Sequence, residues 1–571
     1  MRTYAEGLWH ARGEQLNSYG GLSHAKVDGA LGREAKAQRR RMLTAADYHL
    51  IEEGVAEELR SIREGTGVAR PGDGPDPARD ALRALRGEAA ARNAVIGDPL
   101  RGHTSSVPSG LLRPPPDIPS HAPCGCTSVP SPPMPTEPSD RRADCDVLII
   151  GGGVNGTGLA RDLSLRGLRV ELVERNDLGF GASGNSSGMI HGGPRYLTSH
   201  PEVTRSSCED SGYIQRIAPH MIFRIPFVMP VYGRGTWGRV TLEAIDAFFA
   251  VYDEYQPLKR GKPHARLDVH EATQLVPGLN VDGMNGVITF DEWGINGVRL
   301  CVANAVDARE HGATLHTHTT VERVVVTEGR ATGALLRDRL TGRSWTVTAR
   351  AVVNCTGAWG PITAGLAGLE GKVKLRPGKG VHLVLDRPIS DVAVMASAVD
   401  GRQIFVEPWG NTAVIGTTDD DTYDDLDDLP VTVDEVRYLV EGIERVLPRV
   451  REARIISTTV GARPTLYEWG KMEDALSREH AVLDHASDGV TGLWSLVGGK
   501  LASYRQFAQE AADIIAPWLG NRNACSTHES PLPGGDREVD VDRFAEEHEV
   551  TRWAAARLVN RHGTRAADVL G

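Results

Sequence analysis

Three glycines, Gly151, Gly153 and Gly156, have the spacing G-x-G-x-x-G, which suits a site for a phosphate-containing cofactor. Glycines at this spacing leave no side chains where a backbone turn approaches a pyrophosphate, and a following helix directs its positive N-terminal end at that anion. Glu174 follows about 20 residues later, where a carboxylate can accept hydrogen bonds from ribose hydroxyl groups. Together these residues predict a dinucleotide site.

Such a site needs a strand, a turn, a helix and a second strand, and the flanking sequence predicts all of them. CDVLII (145–150) is a short apolar strand, VNGTGLARDLSLRG (154–167) has apolar residues at helical spacing, and LRVELVE (168–174) is a second strand. Residues 145–174 therefore form a predicted βαβ unit. Residues 312–359 alternate like an antiparallel meander, followed by a last core strand at Ala351–Asn354.

The βαβ unit alone does not distinguish a nicotinamide from a flavin cofactor. The loop after Glu174 does, because RNDLGFGASGNSSGMIHGGPRYL replaces the usual short turn with a long segment rich in glycine and serine. A loop of this length can wrap around a larger cofactor.

Composition excludes several classes of protein. The chain has 571 residues, of which 40% are hydrophobic and 24% charged, and its net charge of -11 gives no support to nucleic-acid binding. The seven cysteines are scattered, which favours a reducing compartment, the cytoplasm, over a disulfide framework. Cys124 and Cys126 lack a second ligand pair nearby, so no metal site is predicted. The N-terminus shows no secretory signal, and no apolar run approaches the roughly 20 residues of a membrane span.

The composition changes along the chain and divides it into four parts. Residues 1–101 are an N-terminal extension, either helical or disordered, and residues 102–143 are a linker rich in proline and serine. Residues 144–520 form the core, in which cofactor-binding and substrate segments are interleaved, and residues 521–571 are a C-terminal helical region with an early end. Met134 lies inside the linker, so an authentic extension and a natural start at Met134 are both open.

Seven segments in order resemble the FAD-dependent glycerol-3-phosphate dehydrogenases, flavoenzymes grouped with D-amino acid oxidase. They are DVLIIGGGVNGTGLARDLSLRGLRVELVERNDL, SSGMIHGGPRYL, VVNCTGAW, PGKGVHLVL, VEPWGNTAVIGTTDDD, GARPTL and SLVGGKLASYR. The resemblance covers residues 144–571 and not 1–143. It implies an α/β fold: an FAD-binding Rossmann-like (βαβ) domain, an antiparallel-sheet substrate domain and a partial C-terminal helical cap.

The resemblance implies that the cofactor is FAD and that four segments contact it. They are the glycine turn with Glu174, the loop around Ser183, Ser186 and Ser187, which we call the serine loop, the turn CTGAW and the turn GGKLASYR. The cofactor-binding residues implied are Gly151, Gly153, Gly156, Glu174, Ser183, Ser186, Ser187, Thr356, Gly357, Gly498, Gly499 and Lys500.

A substrate with a phosphate dianion and two hydroxyl groups requires several cationic donors around a small cavity. The resemblance nominates six substrate-binding residues, with Arg463 and Arg478 as the first choice for the phosphate. The six are Arg195, Tyr196, His382, Arg463, Arg478 and Lys500.

Oxidation of a secondary alcohol by FAD moves a hydride to the flavin while a base takes the hydroxyl proton. A neutral imidazole suits the second task, so His382 is the first candidate base, with Arg195 and Lys500 as the other catalytic residues. His191 is the competing base, although a structural role is favoured for it.

The sequence departs from the family pattern at two places. Ala502 and Ser503 replace two threonines in GGKLASYR, which removes one hydroxyl group, and Pro194 stands where leucine or alanine is usual. Proline fixes its own φ and lacks an amide donor, so it alters how Arg195 is presented.

The function implied by the resemblance is oxidation of sn-glycerol 3-phosphate to dihydroxyacetone phosphate, with electrons passed to membrane quinone. The alternatives left open are an oxidase that uses oxygen, a subunit that passes electrons to an iron–sulfur partner protein, a flavoenzyme for amino or 2-hydroxy acids, and a non-enzymatic flavin-binding protein. The predicted location is the cytoplasm, with peripheral contact at the inner face of the cell membrane, and a homodimer is allowed.

Overall fold

A computed structural model of the chain describes residues 143–194, 197, 201–467 and 480–570. The predicted extension and the linker up to residue 142 lie outside these ranges, as do the predicted site residues Arg195, Tyr196 and Arg478.

The described residues contain strands and helices that alternate along the chain. The strands are β1 (Cys145–Ile150), β2 (Val170–Val173), β3 (Ile222–Tyr232), β4 (Ala265–Leu267), β5 (Met284–Ile295), β6 (Thr314–His316), β7 (Thr319–Thr327), β8 (Arg330–Asp338), β9 (Ser344–Asn354), β10 (Gly378–Leu385), β11 (Ala393–Ser397), β12 (Gln403–Trp409), β13 (Thr412–Gly416), β14 (Asp420–Asp421), β15 (Ile455–Arg463), β16 (His480–Asp484) and β17 (Leu493–Gly498). The α-helices are α1 (Val154–Leu165), α2 (Pro201–Ile217), α3 (Gly235–Tyr252), α4 (Val269–Leu275), α5 (Gly297–Glu310), α6 (Gly360–Gly365), α7 (Val433–Glu444), α8 (Tyr504–Trp518), α9 (Val541–Glu547) and α10 (Arg552–His562).

The first sheet is built around the predicted βαβ unit. Its main order is β16-β17-β9-β1-β2-β6, and β17, β9, β1, β2 and β6 run parallel. All six residues of β1 are buried, because helices and the meander β7–β8 cover the two faces of the sheet. Helices α1 and α8 pack on one face through buried side chains such as Leu159, Leu163, Phe507 and Ile515.

Strand β9 differs from the prediction of a meander strand followed by a separate core strand. It runs unbroken from Ser344 to Asn354. Its first half pairs antiparallel with β8 and its second half pairs in parallel with β1. Buried and exposed residues alternate in the first half of β9, whereas the second half is buried throughout because it lies in the core. This change of pattern within one strand led the sequence analysis to predict two strands.

The second sheet is mostly antiparallel, and its main order is β14-β10-β13-β12-β11-β3-β5-β4. Outside this order, β15 pairs antiparallel with β10. It confirms the predicted antiparallel sheet, while the role of this sheet in substrate binding stays a prediction. Near the C-terminus, α9 and α10 pack around Phe544, Ala555 and Val559, as expected of a small helical cap. Within the described ranges, no helix combines the length and the apolar character that a membrane span requires.

Candidate active site

The predicted cofactor turn lies between β1 and α1 and has no room for side chains. A Cβ on Gly156 would stand 2.0 Å from the Gly151 carbonyl oxygen, and a Cβ on Gly151 would stand 2.6 Å from the Cys355 carbonyl oxygen. Gly151 also has a φ of +110°, a conformation that side chains disfavour. The turn therefore keeps side chains away from the N-terminus of α1, the end of a helix that attracts a pyrophosphate.

Glu174 and Ser183 both lie at this turn, although their described partners are backbone amides. Glu174 accepts hydrogen bonds from the amides of Gly152 and Asn176, each at 2.7 Å. Ser183 Oγ accepts from the Val154 amide at 3.0 Å, so it caps the start of α1. Both residues lie beside the glycine turn, and their contacts with a cofactor stay predictions.

Two more predicted cofactor turns meet the same place. Thr356 and Gly357 follow β9, next to β1, and the Thr356 hydroxyl donates to Asn354 Oδ1 at 2.7 Å. Gly498 and Gly499 end β17 with φ of +76° and +89°. The Asn155 amide on α1 lies 3.5 Å from the Gly498 carbonyl, which brings the GGK turn to the helix N-terminus.

The serine loop packs across one face of the second sheet. A Cβ on Gly461 of β15 would lie 3.0 Å from Asn185 Cβ, and a Cβ on Gly188 would lie 2.8 Å from the Trp409 ring. Ser186 shapes this loop, because its hydroxyl accepts from the Gly188 amide at 3.2 Å. Ser187, next to it, is half-buried. The predicted cofactor loop therefore faces the predicted substrate sheet.

His382 lies on the face of β10 that the serine loop covers. It pairs with Gly416 of β13, and a Cβ on Gly416 would stand 2.1 Å from His382 Cδ2, so the imidazole occupies the space above this glycine. Burial, together with the nearby Arg463 guanidinium, lowers the pKa of His382 to about 3, which makes the ring neutral at pH 7. Neither ring nitrogen has a hydrogen-bond partner among the described residues.

Arg463 lies on the same face as His382, because β15 pairs with β10 in antiparallel register. Its guanidinium crosses Gly380, where a Cβ would be 2.5 Å from Nη2. It is held by Asp419 Oδ1 at 2.9 Å and by the Thr417 hydroxyl at 3.0 Å. The GTTD segment therefore fixes the orientation of this arginine. Lys500 follows the GGK turn with its Nζ buried.

Glu407 is a buried acid that the sequence analysis did not single out. It is fully buried on β12, and register through β13 places it on the same face as His382. Neither carboxyl oxygen has a hydrogen-bond partner among the described residues, and burial raises the pKa of Glu407 to about 8. The sequence offered one sign of this buried acid, because Glu407 is the single charged residue of the apolar segment IFVEPW.

The arrangement fits FAD. Three glycine-lined turns meet at the N-terminus of α1, and a Cβ at Gly151 or Gly156 would collide with the backbone of these turns and prevent the close approach that a pyrophosphate cradle requires. A neutral histidine and a fixed arginine lie across the serine loop from this cradle. Arg195, Tyr196 and Arg478, which complete the predicted substrate set, fall outside the described residues.

Comparison with known proteins agrees with this geometry. Residues 146–505 match the family model described as FAD dependent oxidoreductase. Subunit A1 of the anaerobic glycerol-3-phosphate dehydrogenase of Haloferax volcanii is 33% identical over 444 residues, covering 74% of this chain and 72% of that protein. The aerobic glycerol-3-phosphate dehydrogenase of Staphylococcus haemolyticus is 31% identical over 441 residues, covering 73% and 78%.

A solved structure gives the same result. The glycerol-3-phosphate dehydrogenase of Bacillus halodurans, complexed with FAD, superposes with a TM-score of 0.60 at 25% identity, covering 75% of this chain and 77% of that one. These matches confirm the predicted fold class, the predicted cofactor FAD and the prediction of an oxidoreductase. The chain belongs to the FAD dependent oxidoreductase family.

Proposed function

We propose that this chain oxidises sn-glycerol 3-phosphate to dihydroxyacetone phosphate. One observation carries the proposal: a buried, neutral histidine shares a sheet face with a fixed arginine, and the cofactor loop packs across that face. The relatives above, which carry the name glycerol-3-phosphate dehydrogenase, support the same substrate. Bound FAD supplies the acceptor for the hydride that leaves the substrate carbon.

His382 is the proposed acceptor of the hydroxyl proton. Burial, and to a smaller extent the positive charge of Arg463, lowers the pKa of His382 to about 3, which makes it a weak base before substrate binds. A phosphate dianion beside Arg463 offsets this charge, so substrate binding raises the affinity of the imidazole for a proton. The imidazole is therefore a better proton acceptor with the substrate bound than without it.

Arg463 is the proposed phosphate ligand among the described residues. Asp419 already neutralises part of its charge, so a dianion needs further cations. Lys500 at the GGK turn supplies one, and the predicted Arg195 and Arg478 supply the others. Tyr196 is proposed to contact the substrate next to Arg195.

The test is anaerobic flavin reduction by the purified holoenzyme. Glycerol 3-phosphate should bleach the flavin absorbance fully, while glycerol, lactate and an amino acid at equal concentration should not. Bleaching by an amino acid or a 2-hydroxy acid alone would assign the chain to the alternative substrate class. A flavin that no compound in the panel bleaches would favour the non-enzymatic alternative.

We propose membrane quinone as the electron acceptor, reached by peripheral contact. Helix α3 supports this, because an exposed apolar stripe runs along it with arginines beside the first turn. Its largest members are Trp237, Val240 and Val251, which are 78%, 55% and 51% exposed. The exposed cations are Arg234 and Arg239.

Flotation with anionic lipid vesicles tests the contact. Trp237→Ser should reduce binding, whereas Trp553→Ser, which changes a residue that is 70% exposed on α10, should not. Quinone reduction faster than peroxide formation in air supports the quinone assignment; the reverse would identify an oxidase. Loss of both rates unless an iron–sulfur partner protein is added would identify a subunit of a larger complex.

We propose the cytoplasm as the location, because the described cysteines, Cys145, Cys208, Cys301, Cys355 and Cys525, are all free thiols, as a reducing compartment would keep them. A homodimer stays a prediction that sedimentation can test.

A further inference from the structure

A buried polar cluster lies against the loop of residues 190–193, which includes His191, Gly192 and Gly193. The side chains of Lys259 and Glu292 are 0% and 1% exposed, and Lys259 Nζ lies 2.5 Å from Glu292 Oε2. The same nitrogen donates to the Asp291 carbonyl at 2.6 Å. The Tyr252 hydroxyl donates to Glu292 Oε1 at 2.8 Å. We call Tyr252, Lys259 and Glu292 the tyrosine cluster.

The backbone of Gly192 rests directly on this cluster. A Cβ on Gly192 would stand 2.5 Å from the Tyr252 hydroxyl oxygen and 2.2 Å from Cys208 Sγ. Both distances are shorter than a Cβ tolerates, so the phenol and the thiol set how closely the loop approaches the sheet. His191 is the residue before this contact.

Two hydroxyl groups of α2 hold the loop on either side of the contact. Ser211 Oγ donates to the Ile190 carbonyl at 2.9 Å, and Thr204 Oγ1 lies 3.5 Å from the Gly193 carbonyl. The backbone from Ile190 to Gly193 is therefore fixed from three directions, and Pro194 and Arg195 follow at once.

Stability alone does not account for the tyrosine cluster. Removing two charges from water costs free energy. A protein in which apolar side chains of similar volume replace a buried ion pair is often as stable as the original. The ion pair does provide a fixed acceptor: Lys259 holds the Glu292 carboxylate, which in turn orients the Tyr252 hydroxyl under Gly192.

We propose that the tyrosine cluster is a positioning device that sets the position of the Gly192 backbone, and through it the placement of the adjacent His191 against the substrate. The inference rests on the proposed function, because it assigns the loop to the substrate site. Its three members act through the loop and do not touch the substrate.

Tyr252→Phe in the holoenzyme is the first test, with Tyr438→Phe as the matched control. Tyr438 is also buried and donates to a buried acid, Asp400, at 2.9 Å, but it lies on α7, away from the loop. Both variants lose one hydrogen bond to a carboxylate and should lose similar thermal stability. Only Tyr252→Phe should lower kcat/KM about tenfold and speed hydrogen–deuterium exchange in residues 189–194.

Gly192→Ala is the second test. The new Cβ must push the loop by about 1 Å, and a displacement of this size can cost a rate factor of about 100. FAD content should stay unchanged, because Gly192 is not part of the cofactor turn. Adding Cys208→Ala and Tyr252→Phe removes both obstructing atoms and should recover about tenfold of the lost kcat/KM.

The inference fails if Tyr252→Phe and Tyr438→Phe change kcat/KM and loop exchange equally, or if the triple variant is no better than Gly192→Ala. Wild-type flavin reduction by glycerol 3-phosphate tests the proposed function separately. If the wild type is not reduced, the proposed function fails, while loop exchange in Tyr252→Phe still decides the structural part of the inference.

Discussion

Glu407→Gln should stabilise the protein at alkaline pH, because it replaces an acid that is buried without a partner among the described residues. Glutamine has nearly the same shape as the protonated acid and cannot ionise. Burial raises the pKa of Glu407 from 4.5 in the unfolded chain to about 8 in the folded one. Ionisation therefore favours the unfolded chain, and the wild type loses stability as pH rises between these values.

The size of the effect follows from the shift. One pKa unit corresponds to about 1.4 kcal/mol, so a rise from 4.5 to about 8 corresponds to a loss of about 5 kcal/mol once pH exceeds 8. About 3 kcal/mol of this is already lost at pH 7, and less than about 1 kcal/mol at pH 5. The stability advantage of the variant should therefore grow with pH and level off above pH 8.

Urea unfolding with saturating FAD at pH 5, 7 and 9, followed by tryptophan fluorescence, measures this difference. Glu435→Gln is the control with the opposite sign, because Glu435 is buried in an ion pair with Lys379 at 2.9 Å and its replacement should destabilise the protein. An advantage of Glu407→Gln that is the same at pH 5 and pH 9, or absent at both, would refute the assignment of a neutral buried acid.

Three further predictions concern the site itself. His382→Ala should slow anaerobic flavin reduction by about 100-fold or more while FAD content stays the same, since it removes the proposed base; equal loss of both would contradict the assignment. Gly156→Ala should abolish FAD retention, measured by the flavin-to-protein absorbance ratio, because its Cβ would stand 2.0 Å from a backbone oxygen; Gly365→Ala, with no contact closer than 3.7 Å, should retain FAD. Arg463→Lys should raise KM about tenfold or more in steady-state assays while flavin content is unchanged, because a lysine ammonium cannot bind the phosphate and Asp419 at once as a guanidinium can. An unchanged KM would place the phosphate elsewhere.

Short-range patterns predicted the cofactor half of the molecule well. The turn at Gly151–Gly156 and the position of Glu174 depend on a strand, a helix and a strand that are contiguous in sequence, so their local spacing was enough. The substrate half was harder, since His382 and Arg463 come from strands far apart along the chain. Only the resemblance brought them together, and the register of β10 with β15 explains their proximity.

The buried polar groups were not predictable in the same way. Lys259 and Glu292 look in sequence like ordinary charged residues, and Glu407 differs from them only in standing inside an apolar segment. Their burial is what distinguishes all three, and it is seen only in the structure. The paired Tyr252 is likewise one tyrosine among twelve in the sequence. Burial depends on what covers a side chain, and here the cover comes from segments distant in the chain.

The sequence by itself determined the βαβ unit, because glycine spacing and the periodicity of apolar residues are local properties. The family and the cofactor FAD came from the resemblance of seven ordered segments, which is also read from the sequence alone. The tertiary structure decided which side chains share the face of the second sheet and which are neutral there. The reason is physical: sheet register between distant strands sets the neighbours, and removal of water by packing sets the pKa values of His382 and Glu407.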